Sequence, residues 1–475
     1  MRLSELLEVI GIENDTDTEI TGLCTDNRKV KKGDLFFCIK GLRFDPHEYV
    51  GEISAAAVII EHDTEDASVP LIRVASARVA LAKIAAKFYG IDRLNLPFVG
   101  ITGTNGKTST AYFIEHILKY NKVNAGVIGT VGVAIGDRPL DARFATSTTP
   151  DTIDFMEIIK RLKEENADAV VVEVTSHALA LHKLDGIFFR VGVFTNLTQD
   201  HLDFHRDMEE YFEAKARLFG MCESSVINID DSYGVRIAKN GNSKIMTYGT
   251  SDSADLRAEN PRYFSNSVEY DLNYAGKKIH LRVPIAGRFT VYNSLAAIGA
   301  AFSLGIPLSV ITSAIADMPP VRGRIQSIPN DKGFSVIVDY SHTPDSLSNI
   351  ITSVREYTKG EIITVFGCGG DRDKTKRPIM GKIASSLSDY CVLTSDNPRS
   401  EDPTGIINEI EAGMVNKEYS KQPDRKLAIT DAIERAKQGD AVIIAGKGHE
   451  TYQEFRDKTI DFDDAAVAAE ILASL

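Results

Sequence analysis

The chain has 475 residues but no stretch of 18 apolar ones, so we expect no membrane-spanning segment. Residues 1–20 carry acidic side chains throughout and no apolar run, which argues against a secretory signal peptide. Positive charge is also scarce, with a formal net charge of -13, whereas a general nucleic-acid binder needs a basic surface. We therefore expect a monomeric, cytoplasmic protein that binds small molecules, and neither nucleic acid nor a membrane.

Cysteine is scarce as well, and its number is odd. No two cysteines form a C-x-x-C pair, which argues against a disulfide framework or a structural zinc site and favours a reducing compartment. Cys368 lies inside a Gly-rich loop, where a small buried residue beside a tight turn is favoured over a reactive thiol. The five are Cys24, Cys38, Cys222, Cys368 and Cys391.

The composition that is present is ordinary for a globular protein, with 43% hydrophobic and 25% charged residues. At roughly 100–200 residues per domain, the length predicts about three domains. We place them at 1–92, 93–320 and 321–475. In the first, short β-like runs at 35–39, 57–60 and 71–74 precede a helical pattern at 77–89.

From residue 98 onward, apolar runs alternate with segments of helix length. This alternation predicts parallel sheets with helices on both faces, and hence an α/β protein with a central parallel-sheet domain and a smaller, Rossmann-like C-terminal domain. Polar, Gly-rich clusters begin where these strands end, which is where open α/β sheets bind ligands. The predicted strands are 98–102, 169–174, 191–197, 225–229, 335–340, 362–366, 391–394 and 441–445.

Residues 98–109 read FVGITGTNGKTS, which predicts a strand, a Gly-rich loop and the start of a helix. Glycines let backbone N–H groups turn toward phosphate oxygens, and the helix N-terminus adds partial positive charge. Lys107 can reach the β- and γ-phosphates of ATP, and the Thr108 hydroxyl can bind Mg²⁺. The match to G-x-x-x-x-G-K-[ST] is imperfect because glycine stands at 100 and Ile at 101. Gly-Lys-Thr in this context still favours a nucleotide site over an ordinary turn, so we expect the central domain to be a P-loop ATPase domain.

Three further residues are candidates for the same site. Glu173 closes an apolar run, and a carboxylate at the end of a buried strand beside a phosphate loop is expected to bind Mg²⁺. His201 follows the next strand, and its spacing alone fits a metal ligand or a capping residue equally. Lys215 lies in a helical pattern in which a lone lysine is most often solvated.

Four segments resemble the core of the Mur ligase family in order and spacing: 102–108 (TGTNGKT), 173–179 (EVTSHAL), 195–203 (TNLTQDHLD) and 211–219 (YFEAKARLF). The resemblance implies the cofactors ATP and Mg²⁺. It further implies that Lys215 carries a carbamate and that Glu173, His201 and Thr108 bind metal with it. The ATP contacts that it implies are Gly103, Thr104, Asn105, Gly106, Lys107, Thr108, Ser109, Asn293, Arg324, Asp339 and His342.

Residues 24–37 resemble the uridine-binding start of this family, with Asn27 where serine is usual, and 148–151 match its TTPD motif. Leu181 and Lys183 stand where glutamine and arginine often hold the acceptor. Lys183 keeps the positive charge of arginine but cannot donate two parallel hydrogen bonds to one carboxylate. The Leu181 side chain cannot form a hydrogen bond at all. The implied acceptor contacts are Thr25, Asn27, Thr148, Thr149, Thr175 (also a usual serine) and Lys183.

Polar loops in the C-terminal region include GCGGDRD at 367–373, DNPR at 396–399 and GKGHE at 446–450. A diamino-dicarboxylic acid offers a distal carboxylate for arginine and a distal ammonium for glutamate. A substrate ending in ammonium alone would face Arg399 with like charge. DNPR is the form of the diaminopimelate-adding subgroup. The implied amino-acid contacts are Arg372, Asp396, Asn397, Pro398, Arg399, Gly446 and Glu450.

The resemblance, which runs through essentially the whole chain, implies an ADP-producing ligase of peptidoglycan precursor synthesis. It would add meso-2,6-diaminopimelate to a UDP-N-acetylmuramoyl-dipeptide through an acyl-phosphate. L-Lysine or lanthionine as the added amino acid remains an alternative. Folylpolyglutamate synthetases are more distant, because they need neither the uridine-like first region nor DNPR. A nucleotide switch with a phosphate loop is the alternative from another class.

Overall fold

The computed structural model describes residues 1–14, 18–41, 44–64, 69–136, 138–142, 146, 148–202, 204–241, 244–416 and 418–475. Asp203, the last residue of the TNLTQDHLD segment, lies outside them. They form two compact units, one of Met1–Thr247 with Gly299–Ile306 and one of Tyr248–Ile298 with Pro307–Leu475. The three domain boundaries that we place from the sequence stay a prediction.

The first unit begins with a parallel four-stranded sheet in the order β1-β2-β3-β4. All four residues of the central strand β2 are buried, as are those of β3, so this sheet has an apolar core. Ser76 caps the helix α2 by accepting from the Val79 N–H at 3.4 Å. The elements are α1 Leu3–Glu8, β1 Gly22–Cys24, β2 Asp34–Phe37, β3 Ala57–Ile60, β4 Leu71–Arg73, α2 Ala77–Phe88, and 3₁₀ turns at Pro46–Glu52 and Ile91–Arg93.

A second sheet of the first unit is built around β5, which lies between β10 and β9. Strands β11, β10, β5, β9 and β6 run parallel in that order, and β7 and β8 continue antiparallel. The loop after β5 therefore opens between two neighbouring strand ends. The elements are β5 Phe98–Thr102, α3 Lys107–Tyr120, β6 Ala125–Gly129, β7 Gly132–Ile135, β8 Arg138–Leu140, α4 Thr152–Glu164, β9 Ala169–Glu173, α5 Ser176–Ala180, β10 Phe189–Phe194, α6 Met208–Ala216, β11 Cys222–Asn228, α7 Ser232–Asn240 and β12 Lys244–Gly249.

The second unit contains an antiparallel meander and a mostly parallel sheet in the order β16-β17-β21-β18-β19-β20. The meander consists of β13 Leu256–Phe264, β14 Ser267–Tyr274 and β15 Lys277–Val283. The other elements are α8 Phe289–Ser303, α9 Leu308–Ala316, β16 Gln326–Ser327, β17 Ser335–Asp339, α10 Pro344–Arg355, β18 Ile362–Phe366, α11 Lys376–Leu387, β19 Tyr390–Leu393, α12 Pro403–Glu411, β20 Tyr419–Lys421, α13 Arg425–Arg435, β21 Ala441–Ala445, β22 Tyr452–Glu454, β23 Thr459–Asp461 and α14 Asp464–Ser474.

The predicted α/β class with parallel sheets is confirmed. Strands β3, β5, β18 and β21 have the bounds expected from their apolar runs, and the other predicted strands are shifted by at most three residues at either end. The sequence analysis missed the meander. Its strand β13 alternates buried and exposed residues, whereas the predicted strands are continuous apolar runs.

All five cysteines are buried free thiols. Burial raises the pKa of the Cys368 thiol to about 12, so the structure agrees with the expectation of a buried small residue rather than a reactive one. Among the helices of the described ranges, none combines the length and the apolar character needed to cross a membrane.

A fully buried ion pair links α13 to α14 in the second unit. The Arg425 guanidinium donates from Nε and Nη2 to the two oxygens of Asp464, each at 2.7 Å, and both side chains are 0% exposed. Arg425 also donates to the carbonyl oxygens of Ser395 and Ala445, at 3.1 and 3.0 Å. Ser395 comes just after β19, and Ala445 is the last residue of β21. One buried cation therefore bonds the chain at the carboxyl ends of two strands.

Removal of the Asp464 carboxylate should destabilise the second unit strongly, because it leaves a buried guanidinium without its counter-charge. We expect Asp464→Ala to lower the free energy of unfolding by about 3 kcal/mol or more, measured by urea denaturation. The matched control is Glu470→Ala on the same helix, whose partner Lys426 is half exposed. That loss should be about 0–1 kcal/mol. Equal losses in the two variants would contradict the importance of the buried pair.

Candidate functional site

The loop after β5 has the backbone conformation of a phosphate-binding loop. Gly103 and Gly106 have φ of +152° and +86°, which side chains with a Cβ rarely adopt. The loop is fastened to the segment after β10, since Thr104 N donates to the Asn196 carbonyl and Asn105 N donates to Asn196 Oδ1, each at 2.9 Å. These contacts fix the loop directly before the N-terminus of α3.

Two lysines converge on one carbonyl oxygen of this loop. Lys107 Nζ donates to the carbonyls of Gly103 and Thr104 at 2.9 and 3.0 Å, and Lys215 Nζ donates to Gly103 O at 2.9 Å. Lys215 is 1% exposed and lies 4.6 Å from the centroid of the Tyr211 ring. Its burial, and next the charge of Lys107, hold the pKa of Lys215 well below its usual value of 10.5, which favours the neutral amine.

The Glu173 carboxylate lies at the end of β9 and is 1% exposed. Thr108 Oγ donates to its Oε2 at 2.9 Å, so the structure brings Glu173 to the first turn of α3, which also contains Lys107 and Ser109. Thr130 contributes two more hydrogen bonds, from its N–H to Oε1 at 3.0 Å and from its hydroxyl to Oε2 at 2.9 Å. The sequence analysis missed Thr130, although its position just after β6 fits the rule that polar contacts follow strand ends.

His201 lies beside the same group of residues. It has φ of +54°, and its ring packs edge-on against the rings of His177 and Tyr211, with centroids 5.0 and 6.1 Å apart. Its Nε2 is 3.5 Å from a carboxylate oxygen of Asp200. Tyr211 therefore lies between His201 and Lys215, and its hydroxyl is within 3.2 Å of the Thr104 hydroxyl.

The threonines predicted to contact the acceptor lie next to Glu173. Thr149 Oγ donates to the Glu173 carbonyl at 2.8 Å and is 3.1 Å from Thr175 Oγ. Thr148 Oγ is 3.2 Å from the hydroxyl of Thr130, which itself bonds Glu173. The structure thus brings the TTPD segment and the candidate metal ligand into one hydrogen-bonded cluster.

Lys183, the other expected acceptor contact of this region, forms an ion pair. Its Nζ is 2.6 Å from Asp151 Oδ1, and only 10% of its side chain is exposed. Leu181 ends α5 as its C-cap residue. Thr25 and Asn27 follow β1, and no hydrogen bond or ion pair within the described ranges joins them to the threonine cluster.

A second group of titratable side chains, Asp45, His47 and His62, has ligand atoms within 4.8 Å of one another. The His47 ring is already committed, because its Nδ1 is 2.6 Å from Asp45 Oδ1 and its Nε2 accepts from Glu61 N at 3.1 Å. Lys40 lies 3.2 Å from the same Asp45 carboxylate. Both His47 ring nitrogens are therefore engaged, and the Lys40 ammonium opposes a cation at the Asp45 carboxylate.

In the second unit, the two expected arginines lie at one turn. Arg399, with φ of +50°, donates from Nη1 to the Gly370 carbonyl at 2.8 Å and from Nε to Glu454 at 3.0 Å. A Cβ placed on Gly369 would lie 3.0 Å from Arg399 Nη1 and 3.8 Å from Arg372 Cγ. Arg372 is exposed, whereas the Arg399 side chain is largely buried, with 22% of its surface accessible to solvent.

The DNPR and GKGHE loops pack against each other beside this turn. Asn397 is 1% exposed and donates from Nδ2 to Glu450 Oε2 at 2.8 Å. Gly446 has φ of +118°, and a Cβ there would lie 2.6 Å from Asp396 Oδ2, so glycine permits the close approach. The buried Pro398 lies between Asn397 and Arg399 in the chain.

The residues of the second unit expected to contact ATP gather around Tyr340. The Arg324 guanidinium lies 4.6 Å from the Tyr340 ring centroid, and His342 Nδ1 donates to the Tyr340 carbonyl at 2.8 Å. Asp339 Oδ2 accepts from the backbone N–H that follows Arg324, at 2.8 Å. Asn293, also expected to contact ATP, is 9% exposed on α8.

Comparison with known proteins gives two family matches along the chain. Residues 101–301 match the Mur ligase middle domain, and residues 323–448 match the Mur ligase glutamate ligase domain. A Clostridium botulinum (strain ATCC 19397 / Type A) protein described as "UDP-N-acetylmuramoyl-L-alanyl-D-glutamate--2,6-diaminopimelate ligase" is 43% identical over 466 residues, covering 96% of each chain. A Caldanaerobacter subterraneus subsp. tengcongensis protein of the same description is 44% identical over 482 residues, covering 100% of this chain and 99% of its own.

A solved structure that carries the same description has a TM-score of 0.74 and 30% identity, and the match covers 100% of this chain and 99% of that one. Identity above 40% over nearly the full length, together with the two matching domains, establishes the relationship. The chain belongs to the Mur ligase family.

Proposed function

We propose that this chain is the ATP-dependent ligase that adds meso-2,6-diaminopimelate to UDP-N-acetylmuramoyl-L-alanyl-D-glutamate. One observation of the second unit carries the choice of amino acid. Arg372 and Arg399 lie at one turn, beside a loop in which Asn397 bonds Glu450. Guanidinium groups suit the distal carboxylate, and a carboxylate suits the distal ammonium.

The reaction has two steps in this proposal. A carboxylate oxygen of the acceptor's D-glutamate attacks the γ-phosphorus of ATP, the bond to the β-phosphate oxygen breaks, and an acyl-phosphate and ADP result. The amine of diaminopimelate then attacks the acyl carbon, inorganic phosphate leaves, and the nitrogen loses a proton to give the amide. Lys107, held at the loop by Gly103 and Thr104, is placed to balance charge on the terminal phosphate.

The residues around Glu173 fit a magnesium ion. A buried carboxylate and the hydroxyl of Thr108 are the oxygen ligands that this hard cation prefers, and the carbamate proposed for Lys215 would add another. When bound, Mg²⁺ neutralises charge on the phosphates. His201, beside Tyr211, is the remaining proposed ligand.

The surroundings of Lys215 support the proposal that it carries a carbamate. Carbon dioxide adds to an unprotonated amine, and burial favours that form of Lys215. Nitrogen forms a bond to carbon and releases a proton, so a neutral amine next to Lys107 becomes an anion. The carbamate would attract the Lys107 ammonium, which a protonated Lys215 would repel.

We propose the acceptor site along Thr148, Thr149 and Thr175, because these hydroxyls lie beside Glu173. Lys183, Thr25 and Asn27 stay proposed contacts, as do the regions 1–92 for the UDP-substrate, 93–320 for ATP and 321–475 for the amino acid. We propose a monomer, in which one chain supplies the residues of both candidate sites. ATP and UDP-linked precursors are cytoplasmic, so we infer action there.

The function is tested by ADP formation with a panel of amino acids. ADP should form only when the UDP-dipeptide and a diamino acid are both present, with the highest kcat/KM for meso-diaminopimelate. Lanthionine, which keeps both distal charges, should follow. Lysine should be at least about tenfold poorer, because it lacks the carboxylate for one charge-assisted pair. Equal use of lysine would rule out the proposed specificity, and ADP release without any amino acid would indicate a nucleotide switch.

Lys215→Ala should reduce kcat by about 100-fold or more, because it removes a group that stabilises developing phosphoryl charge. Added formate or acetate should restore part of the activity by supplying the missing carboxylate. Glu213→Ala, an exposed position on the same helix, is the control and should retain full activity. A fully active Lys215→Ala enzyme would refute the role of the carbamate.

Arg399→Ala should raise the KM for diaminopimelate about 10- to 100-fold while kcat changes less, because a binding contact present before the transition state is lost. The KM for lysine should not rise. Arg456→Ala serves as the control, since Arg456 is an exposed arginine that bonds the nearby Ser400 carbonyl. The measurement is steady-state kinetics with both amino acids. An unchanged KM for diaminopimelate would contradict the proposed contact between Arg399 and the distal carboxylate.

A further inference from the structure

Lys447 is a fully buried lysine beside the proposed amino-acid site. Its Nζ donates to Asn397 Oδ1 and to Glu450 Oε2, each at 3.0 Å, and lies 5.3 Å from the centroid of the Tyr452 ring. The side chain is 0% exposed. Lysine is almost never buried to this extent unless it is paired. With no accessible surface, the ammonium acts on its neighbours and not on a ligand.

The backbone around Lys447 forces this inward direction. Gly446 and Gly448 on either side have φ of +118° and +53°. A Cβ on Gly448 would lie 2.7 Å from Tyr340 Cβ and equally close to the Gly323 carbonyl, so only glycine fits. In the Gly-Lys-Gly sequence, the long Lys447 side chain therefore points into the protein, toward Asn397 of the DNPR loop.

Lys447 selects one orientation of the Asn397 amide. Asn397 Oδ1 accepts from Lys447 Nζ and from Glu454 N, both at 3.0 Å, while Nδ2 donates to Glu450 Oε2 at 2.8 Å. The reversed amide would direct N–H groups at the ammonium and an oxygen at the carboxylate. Both contacts would then be repulsive, so the buried charge excludes that orientation.

Lys447 also fixes the Glu450 carboxylate. Oε2 of Glu450 receives hydrogen bonds from Lys447 and Asn397, whereas no hydrogen bond to Oε1 from the described part of the chain is found. The ammonium compensates the carboxylate charge, which would otherwise be costly next to buried groups. One oxygen is engaged internally and the other stays available.

We propose that Lys447 is a positioning residue for recognition of the diamino acid, acting through Asn397 and Glu450. It holds the carboxylate so that Oε1 of Glu450 receives the distal ammonium of the ligand, while Arg372 and Arg399 receive the distal carboxylate. This inference rests on the proposed function, because it assigns the recognition of that same substrate to a residue that does not touch it.

Lys447→Met tests the proposal by removing the charge while keeping the length of the side chain. The KM for diaminopimelate should rise at least tenfold, kcat should fall by less than that factor, and the KM values for ATP and the UDP-dipeptide should stay within twofold. Lys426→Met, at a half-exposed lysine of the same unit, is the control and should change none of these. A purely structural role would lower kcat through a smaller folded fraction and leave KM unchanged, which would overturn the proposal.

A double-variant cycle identifies the residue through which Lys447 acts. Glu450→Gln alone should raise the KM for diaminopimelate, and adding Lys447→Met should raise it by less than twofold more. If the effects of the two substitutions on the KM multiply in the double variant, Lys447 does not act through Glu450, and the proposal is overturned. If Lys447→Met does not fold, Lys447→Gln replaces it; this variant also removes the charge that orients Asn397 and compensates Glu450, so an unchanged KM there would equally contradict the inference.

The same experiments separate this inference from the proposed function. If the unaltered enzyme forms no ADP with diaminopimelate and the UDP-dipeptide, the proposed function fails. If the unaltered enzyme uses diaminopimelate with a KM that Lys447→Met leaves unchanged, only the positioning role fails.

Discussion

Two lysines that donate to the same carbonyl oxygen set the electrostatic constraint of the first unit. Lys107 and Lys215 both bond Gly103 O at 2.9 Å, and the first is at the surface of the loop while the second is buried. Two ammonium groups that bond the same oxygen repel each other, and the burial of Lys215 weakens the screening of that repulsion by water. Burial first and the charge of Lys107 second lower the pKa of Lys215, and an anion bound nearby would relieve the repulsion. The site therefore favours negative charge before any substrate arrives.

Buried cations play a different part in the second unit, where they hold loops. Arg377, 0% exposed, donates to the Gly369 carbonyl and to Glu401, Arg425 joins the ends of β19 and β21, and Lys447 orders the side chains between them. Each positive group meets carbonyl or carboxylate oxygens just beyond a strand. Loops that would otherwise be mobile are thereby fixed to the sheet, which gives a binding site its geometry in advance.

Much of this organisation could be predicted from the sequence, because continuous apolar runs mark buried parallel strands and the Gly-Lys-Thr loop has a distinct pattern. The family and the α/β class were predicted and are confirmed. The role of Glu173 was expected from its position at a strand end, that of Lys215 came from the resemblance, and only the structure shows their hydrogen-bond partners. Thr130, Lys447 and Arg425 were missed, because their partners are distant in sequence: Lys447 bonds a residue 50 positions away. Local patterns hold no information on such pairs.

Arg399 illustrates a consequence for selectivity. Its Nε already bonds the Glu454 carboxylate at 3.0 Å, in a site where 43% of the Glu454 side chain is exposed. A ligand carboxylate that reaches this guanidinium must compete with an internal one, so the gain on association is the difference between two similar contacts. An amino acid without a carboxylate at that position gains nothing from displacing Glu454. Under the proposed function, Glu454 acts as an internal competitor: it lowers the affinity for a ligand that brings a carboxylate to Arg399 and leaves the affinity for a ligand without one unchanged, so it narrows the difference between the two.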